Sequence, residues 1–179
     1  GYGLLAWTSA LAALGLVPAT AALGIAGLGL ALSLITLGLL SSTLHLGHPE
    51  RAWRAFSQWR SSWLSREGVA AVFTYLPAFA LAYAWIGHGQ LWGSAALMAW
   101  LAVAGALATV WCTGMIYATL PTIRAWAQPL TAPLYLLLAL ASGAVLLCQQ
   151  AAVRLAARGG GLICAFSSVA GDRARRGNY

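Results

Sequence analysis

The ionisable side chains that could do chemistry stand close together, at the end of one apolar run and the start of the next. His45 lies at or just inside the end of the first run, where an ionisable group is costly unless it faces protein or water. Gly47 and Pro49 predict a turn, and Arg51 follows it. Glu67 heads the next apolar run. Histidine, arginine and carboxylate are the side chains of acid–base and electrostatic chemistry, so each is a functional candidate.

The same stretch also has a purely structural interpretation. A carboxylate at a helix N-terminus is favoured by the helix dipole, so Glu67 is predicted to open a helix that Ser65 caps. Large aromatic residues at near-helical spacing predict an amphipathic helix in the membrane interface, flanked by snorkelling arginines. These aromatic residues are Trp53, Phe56, Trp59 and Trp63.

The sequence offers no ligand set for a redox metal. His45 and His48 are three residues apart but straddle a helix end, and no cysteine lies near them. The third histidine, His88, is expected at the opposite membrane face, which disfavours a haem held between helices. The cysteines lack the paired spacing of zinc and iron–sulfur sites, so we interpret them as packing residues. They are Cys112, Cys148 and Cys164.

Composition identifies the elements that must position these residues. Of 179 residues 61% are apolar and 7% are charged, and charge-free stretches cover 1–49, 68–123 and 125–153. Helices in water need a polar face, so these runs exclude a soluble enzyme, a disulfide scaffold and a disordered chain. All ten basic residues are arginines that lie between or after apolar runs, which is typical of membrane proteins and not of a nucleic-acid-binding face.

We therefore predict an all-α, polytopic transmembrane helix bundle of about five spans, since a helix needs about 20 apolar residues to cross the lipid bilayer. An interfacial helix-containing loop is predicted at 45–67. Residues 1–158 are expected to form a transmembrane domain that is truncated at both ends, and 159–179 a short apolar segment with a poorly ordered basic tail. The predicted spans are 1–17, 21–44, 68–87, 91–117 and 130–150.

Alternating spans would place the loops 45–67 and 118–129 on one membrane face. Most of the polar chemistry is therefore expected on one side of the membrane. The arginines are divided five and five between the two faces, so the positive-inside rule does not orient the chain.

Two motifs resemble the membrane anchor subunit of dimethyl sulfoxide reductase. The first is S-x-L-H-L-G-x-P-x-R-A, beginning at Ser42, followed by S-W-L-S-R-E ending at Glu67. The second, Y-A-T-L-P-T-I-R-A-W, begins at Tyr117. The resemblance covers most of residues 1–150, roughly the first five of the family's eight helices. The first helix begins late and the sequence after Arg158 departs from the pattern, so we expect a fragment of such an anchor.

The resemblance implies a subunit of the bacterial inner (plasma) membrane that binds and oxidises menaquinol and has no metal or haem of its own. Its implied partners are a four-cluster iron–sulfur subunit and a molybdopterin catalytic subunit, which serve anaerobic respiration. His45 would accept a proton, Arg51 would stabilise developing negative charge and Glu67 would accept or relay the second proton. Tyr117 would reach into the same pocket.

The loop arginines are predicted to dock the iron–sulfur subunit, in particular Arg54, Arg60 and Arg124. Two other functions stay open. A purely structural anchor would have the same helices without quinone chemistry. A small polytopic transporter would need polar groups near the bilayer midplane, where this chain offers the weakly polar Ser33, Thr109 and Thr113.

Overall fold

Every regular element in the computed structural model, which describes residues 1–44, 48–157 and 159, is a helix. No strand occurs in these residues, and the all-α prediction is confirmed. The helices are α1 (Tyr2–Ala13), α2 (Ala21–Leu44), α3 (Trp63–Gly87), α4 (Ser94–Ala118) and α5 (Thr131–Ala157).

Four of these helices, α2 to α5, are long and apolar enough to cross a membrane, with 24, 25, 25 and 27 residues. At 1.5 Å per residue, each exceeds the roughly 30 Å of a hydrocarbon core. The predicted first span, 1–17, contains the helix α1 of 12 residues, which is shorter than a crossing requires. Gly15, at a φ of +67°, follows its last turn. The protein is thus a multi-pass membrane protein.

The start of the third span was predicted wrongly. The helix begins at Trp63 and not at residue 68, so Glu67 does not open it and lies in its second turn. Ser62, and not Ser65, occupies the N-cap position. Arg66 explains the longer helix: its guanidinium stacks over Trp63 at 4.3 Å and donates to the backbone carbonyl oxygens of residues 59 and 60, at 3.0 and 2.7 Å.

The predicted interfacial helix is a 3₁₀ helix of eight residues, Pro49–Phe56. Proline at the first helical position suits its fixed φ and missing N–H. Of the four aromatic residues, Trp53 and Phe56 lie in this helix, Trp59 in the following turn, and Trp63 begins α3. The helix packs near the start of α3, where the Phe56 ring lies against Gly68.

Helix α4 is central, because it packs against both α3 and α1. Its buried face carries small residues, including Ala102 and Ala106, which allow neighbouring helices to approach closely. At Gly105 an added Cβ would stand 2.5 Å from the Thr74 hydroxyl oxygen of α3. Small residues therefore set the distance between α3 and α4.

The chain divides into two compact units, residues 1–147 and residues 148–179. The first contains α1 to α4 and most of α5. In the second, the structure describes the end of α5 and residue 159. The loops 48–62 and 119–130 both lie within the first unit.

Alternating spans make a testable topology. In a background without native cysteines (Cys112, Cys148 and Cys164 replaced by alanine), we expect Ser57→Cys and Thr122→Cys to react with a membrane-impermeant maleimide from the same side. Gln90→Cys, in the short connection between α3 and α4, should react from the opposite side, because one span separates it from each of the other two positions. Labelling of all three positions from one side would contradict this topology.

Gly105→Ala should loosen the α3–α4 contact, since its new methyl group would overlap Thr74. Overpacking costs about 1–3 kcal/mol, and the higher helix propensity of alanine offsets about 1 kcal/mol of this. We expect a lower thermal unfolding midpoint in detergent. Gly29→Ala is the matched control, because its added methyl group would meet its nearest neighbour, Ile25, at an ordinary 3.9 Å. Equal unfolding midpoints for Gly105→Ala and Gly29→Ala would contradict a tight contact between α3 and α4 at Gly105.

Candidate functional site

An open cavity of about 770 Å³ lies among the helices, with lining residues from α1 to α5. This volume is within the range of small-molecule sites, roughly 300–1,000 Å³. Most of the lining is aliphatic or glycine, including Leu34, Ile35 and Leu138. Six side chains add polar groups: Tyr2, Ser42, Glu67, Thr113, Tyr135 and Ser142. The cavity thus suits an apolar ligand with a small polar end.

Glu67 is the acidic residue of this cavity. The Thr113 hydroxyl donates to its Oε1 at 2.7 Å, across the α3–α4 contact. Among the described residues, Glu67 forms no ion pair. A carboxylate inside a spanning helix is costly, and one without an ion-pair partner among the described residues is better explained by function than by fold stability.

Tyr117 supports the cavity without lining it. Its ring stacks on that of Tyr135, with centroids 5.3 Å apart, and Tyr135 lines the cavity. The other contact of Tyr117 is edge-on to Trp126, at 5.1 Å. The rings of Trp126, Tyr117 and Tyr135 therefore form a row of contacts that connects the loop after α4 to the start of α5.

The structure does not bring Arg51 to the cavity. Its side chain is 58% exposed on the 3₁₀ helix, and its Nε lies 3.9 Å from Glu50. Glu50 also contacts His48 Nδ1, at 3.0 Å. Burial of a hydrated arginine in an apolar cavity costs free energy, because its charge loses contact with water. The predicted site residue His45 lies outside the described residues.

The three predicted docking arginines, Arg54, Arg60 and Arg124, are exposed on the two loops. Arg54 lies 5.7 Å from the ring of Trp53, and Arg60 lies 5.6 Å from the ring of Trp59. Cation–π contacts of this kind keep the charge accessible while steadying the side chain. The loops therefore present basic groups backed by exposed tryptophans.

Of the six polar lining residues, only Glu67 was predicted from the sequence as a site residue; Tyr2, Ser42, Thr113, Tyr135 and Ser142 were not. Tyr2, Tyr135 and Ser142 sit singly within apolar runs, where a lone hydroxyl is unremarkable, and Ser42 is one of three consecutive hydroxyl residues at the end of α2. A weak signal exists at Thr113, which follows Thr109 by one helical turn and so shares its face. Nothing in the sequence, however, pairs it with Glu67, 46 residues away.

A second groove, of about 630 Å³, lies between α3 and α4 and is almost entirely apolar. Phe73, Pro77 and Leu101 line it, and Thr74 is its polar side chain. Within the described part of the chain, no group of three histidine, cysteine or acidic residues is placed to hold a metal ion.

Comparison with known proteins agrees with the motifs. Residues 22–162 match the family described as DMSO reductase anchor subunit (DmsC). A sulfite dehydrogenase subunit from Allochromatium vinosum is 40% identical over 115 residues, which cover 57% of this chain and 34% of that protein. The matched part thus spans about a third of this curated relative. No solved structure matches the chain. The resemblance predicted from the sequence is confirmed, and the chain belongs to the DMSO reductase anchor subunit (DmsC) family.

Proposed function

We propose that this chain is the membrane anchor of a molybdoenzyme respiratory reductase in the bacterial inner membrane, and that it oxidises menaquinol. The observation that carries the proposal is Glu67, the only acidic residue within the four spanning helices. Its carboxylate faces a ligand-sized cavity and accepts a hydrogen bond from the Thr113 hydroxyl. Among the described residues, no cation forms an ion pair with it. Membership of the anchor family supports the same conclusion.

The cavity fits the substrate chemically. A quinol has a flat ring with two hydroxyl groups and a long hydrocarbon tail. The polar groups of Glu67, Thr113 and Ser42 can meet the hydroxyl end, while Leu34 and Leu138 offer apolar surface to the ring and the first part of the tail. A few polar groups within an apolar lining give such a site its orientation.

The reaction requires acceptors for two protons and two electrons. When a quinol O–H bond breaks, Glu67 takes one proton and becomes a neutral carboxylic acid. The family resemblance assigns the other proton to His45. The two electrons pass to the iron–sulfur subunit and on to the molybdopterin subunit, which reduces the terminal acceptor.

For Arg51, whose side chain lies outside the cavity in this structure, we propose a role in the quinol-bound complex. It belongs to the 3₁₀ helix whose Phe56 lies against Gly68 of α3, one residue beyond Glu67. In this proposal the Arg51 guanidinium moves to the mouth of the cavity when quinol binds, where its charge stabilises negative charge that develops on the quinol oxygen.

The iron–sulfur subunit is proposed to bind the loop face, defined here as loops 48–62 and 119–130. Arginine and tryptophan are among the residues enriched at the energetic centres of protein interfaces. The loop face exposes both types, in Arg54 beside Trp53 and Arg60 beside Trp59.

In the assembled complex, Glu67→Gln, His45→Ala and Arg51→Ala should each lower quinol-dependent turnover by about 10²-fold or more, the usual order for loss of an acid–base or electrostatic group. Turnover with a soluble viologen dye, which donates electrons without using the cavity, should stay near wild type. Glu50→Gln makes the same chemical change on an exposed carboxylate and should keep quinol turnover.

Equal losses with quinol and dye would indicate failed assembly. Wild-type quinol turnover in Glu67→Gln would contradict the proposed function and leave a purely structural anchor.

Reversal of charge at the loop face (Arg54→Glu, Arg60→Glu and Arg124→Glu together) should release the soluble subunits from membranes, because like charges across an interface repel. Membrane fractionation with detection of the soluble subunits measures this. Replacement of the same three residues by lysine keeps the charge and should retain most of the binding. If the soluble subunits stay fully bound to membranes that carry the glutamate variant, the interface lies elsewhere.

A further inference from the structure

The hydrogen bond between Thr113 and Glu67 joins two helices at the wall of the cavity. The Thr113 hydroxyl oxygen is 2.7 Å from Glu67 Oε1 and 3.0 Å from the backbone carbonyl oxygen of Thr109. A hydroxyl has one proton, so it can donate fully to only one of these acceptors at a time. Thr113 therefore has two alternative hydrogen bonds within reach.

The charge of Glu67 decides between these two acceptors. A donor bound to an ionised carboxylate forms a shorter and stronger hydrogen bond than one bound to a neutral acceptor. At 2.7 Å the Thr113–Glu67 contact is short enough for a hydrogen bond of this kind. Once Glu67 has taken up a proton this advantage is lost, and the Thr109 carbonyl becomes a competitive acceptor for Thr113.

We propose that Thr113 is a positioning residue for proton transfer from the quinol. It holds Oε1 of the ionised Glu67 and so leaves Oε2 to receive the proton. As the quinol O–H bond breaks and Oε2–H forms, the Thr113 hydroxyl turns towards Thr109. The Thr113 proton stays on its own oxygen throughout. This inference rests on the proposed function, since it assigns Thr113 a task only if Glu67 accepts a proton there.

The other hydroxyl groups that line the cavity do not hold the Glu67 carboxylate in the way that Thr113 does. Ser42, Tyr135 and Ser142 line the same cavity on α2 and α5, but the hydrogen bond from α4 to Glu67 comes from Thr113. Thr74 and Thr109 form a separate α3–α4 contact, with their hydroxyl oxygens 3.4 Å apart. Thr74 lines the apolar groove and not this cavity, so it provides a matched control.

A double-mutant cycle in the assembled complex tests the proposal. Thr113→Val has nearly the same shape but no donor, and loss of a hydrogen bond to a charged group should lower quinol-dependent kcat by about tenfold or more. Thr113→Ser keeps the donor and should restore kcat to within about threefold of wild type. Added to Glu67→Gln, Thr113→Val should cause no further loss, because the step it assists is already absent.

Thr74→Val removes a hydroxyl from the same pair of helices, and its effect should be the same in the wild-type and Glu67→Gln backgrounds. All rates are taken per assembled complex, measured by turnover with the viologen dye. If Thr113→Val does not assemble, Thr113→Ala replaces it in the same cycle.

Three results would overturn the inference. Wild-type kcat in Thr113→Val would show that the donor is unnecessary. Equal losses for Thr113→Ser and Thr113→Val, or a full additional loss in the Glu67→Gln background, would show that Thr113 does not act through Glu67. If Glu67→Gln itself keeps wild-type turnover, the proposed function fails as well. If only Glu67→Gln loses turnover, the positioning role of Thr113 alone fails.

Discussion

The absence of water inside a bilayer is the constraint on which this structure depends, because a polar group there is costly unless it has a hydrogen-bond partner within the protein. Thr74, Thr109 and Thr113 each donate to a carbonyl or carboxylate oxygen within α3 or α4. Small residues bring these two helices close enough for Thr113 to reach Glu67. The packing of α3 on α4 therefore fixes the position of the one acidic side chain in the four described spanning helices.

The same packing leaves room for a ligand. Glu67 and Thr113 stand at the wall of a cavity to which α1, α2 and α5 contribute the remaining surface. Aromatic stacking of Tyr117 on Tyr135 ties the start of α5 to the loop that follows α4. The loop face carries the exposed arginines, so the proposed quinol site and the proposed docking surface are built from neighbouring parts of the chain.

The helices that cross the membrane could be predicted because length and hydropathy are properties of a contiguous segment. The start of α3 could not be predicted in this way, because charged residues such as Arg66 and Glu67 are typical of loops when their contacts in the folded protein are unknown. Arg66 extends the helix by binding carbonyl groups of the preceding turn, and Glu67 binds a threonine of another helix. Contacts between helices do not follow from spacing along one chain, and for the same reason Tyr2 and Tyr135 were not predicted as lining residues.

Photoaffinity labelling of the assembled complex with a short-tailed azidonaphthoquinone tests the central claim most directly. If the cavity beside Glu67 is the quinol site, the labelled peptides will contain residues 38–42, 110–113 or 135–142, and excess unlabelled naphthoquinol will suppress the labelling. Labelling confined to the apolar groove at residues 73–77 and 101–108, with no protection by naphthoquinol, would contradict the account.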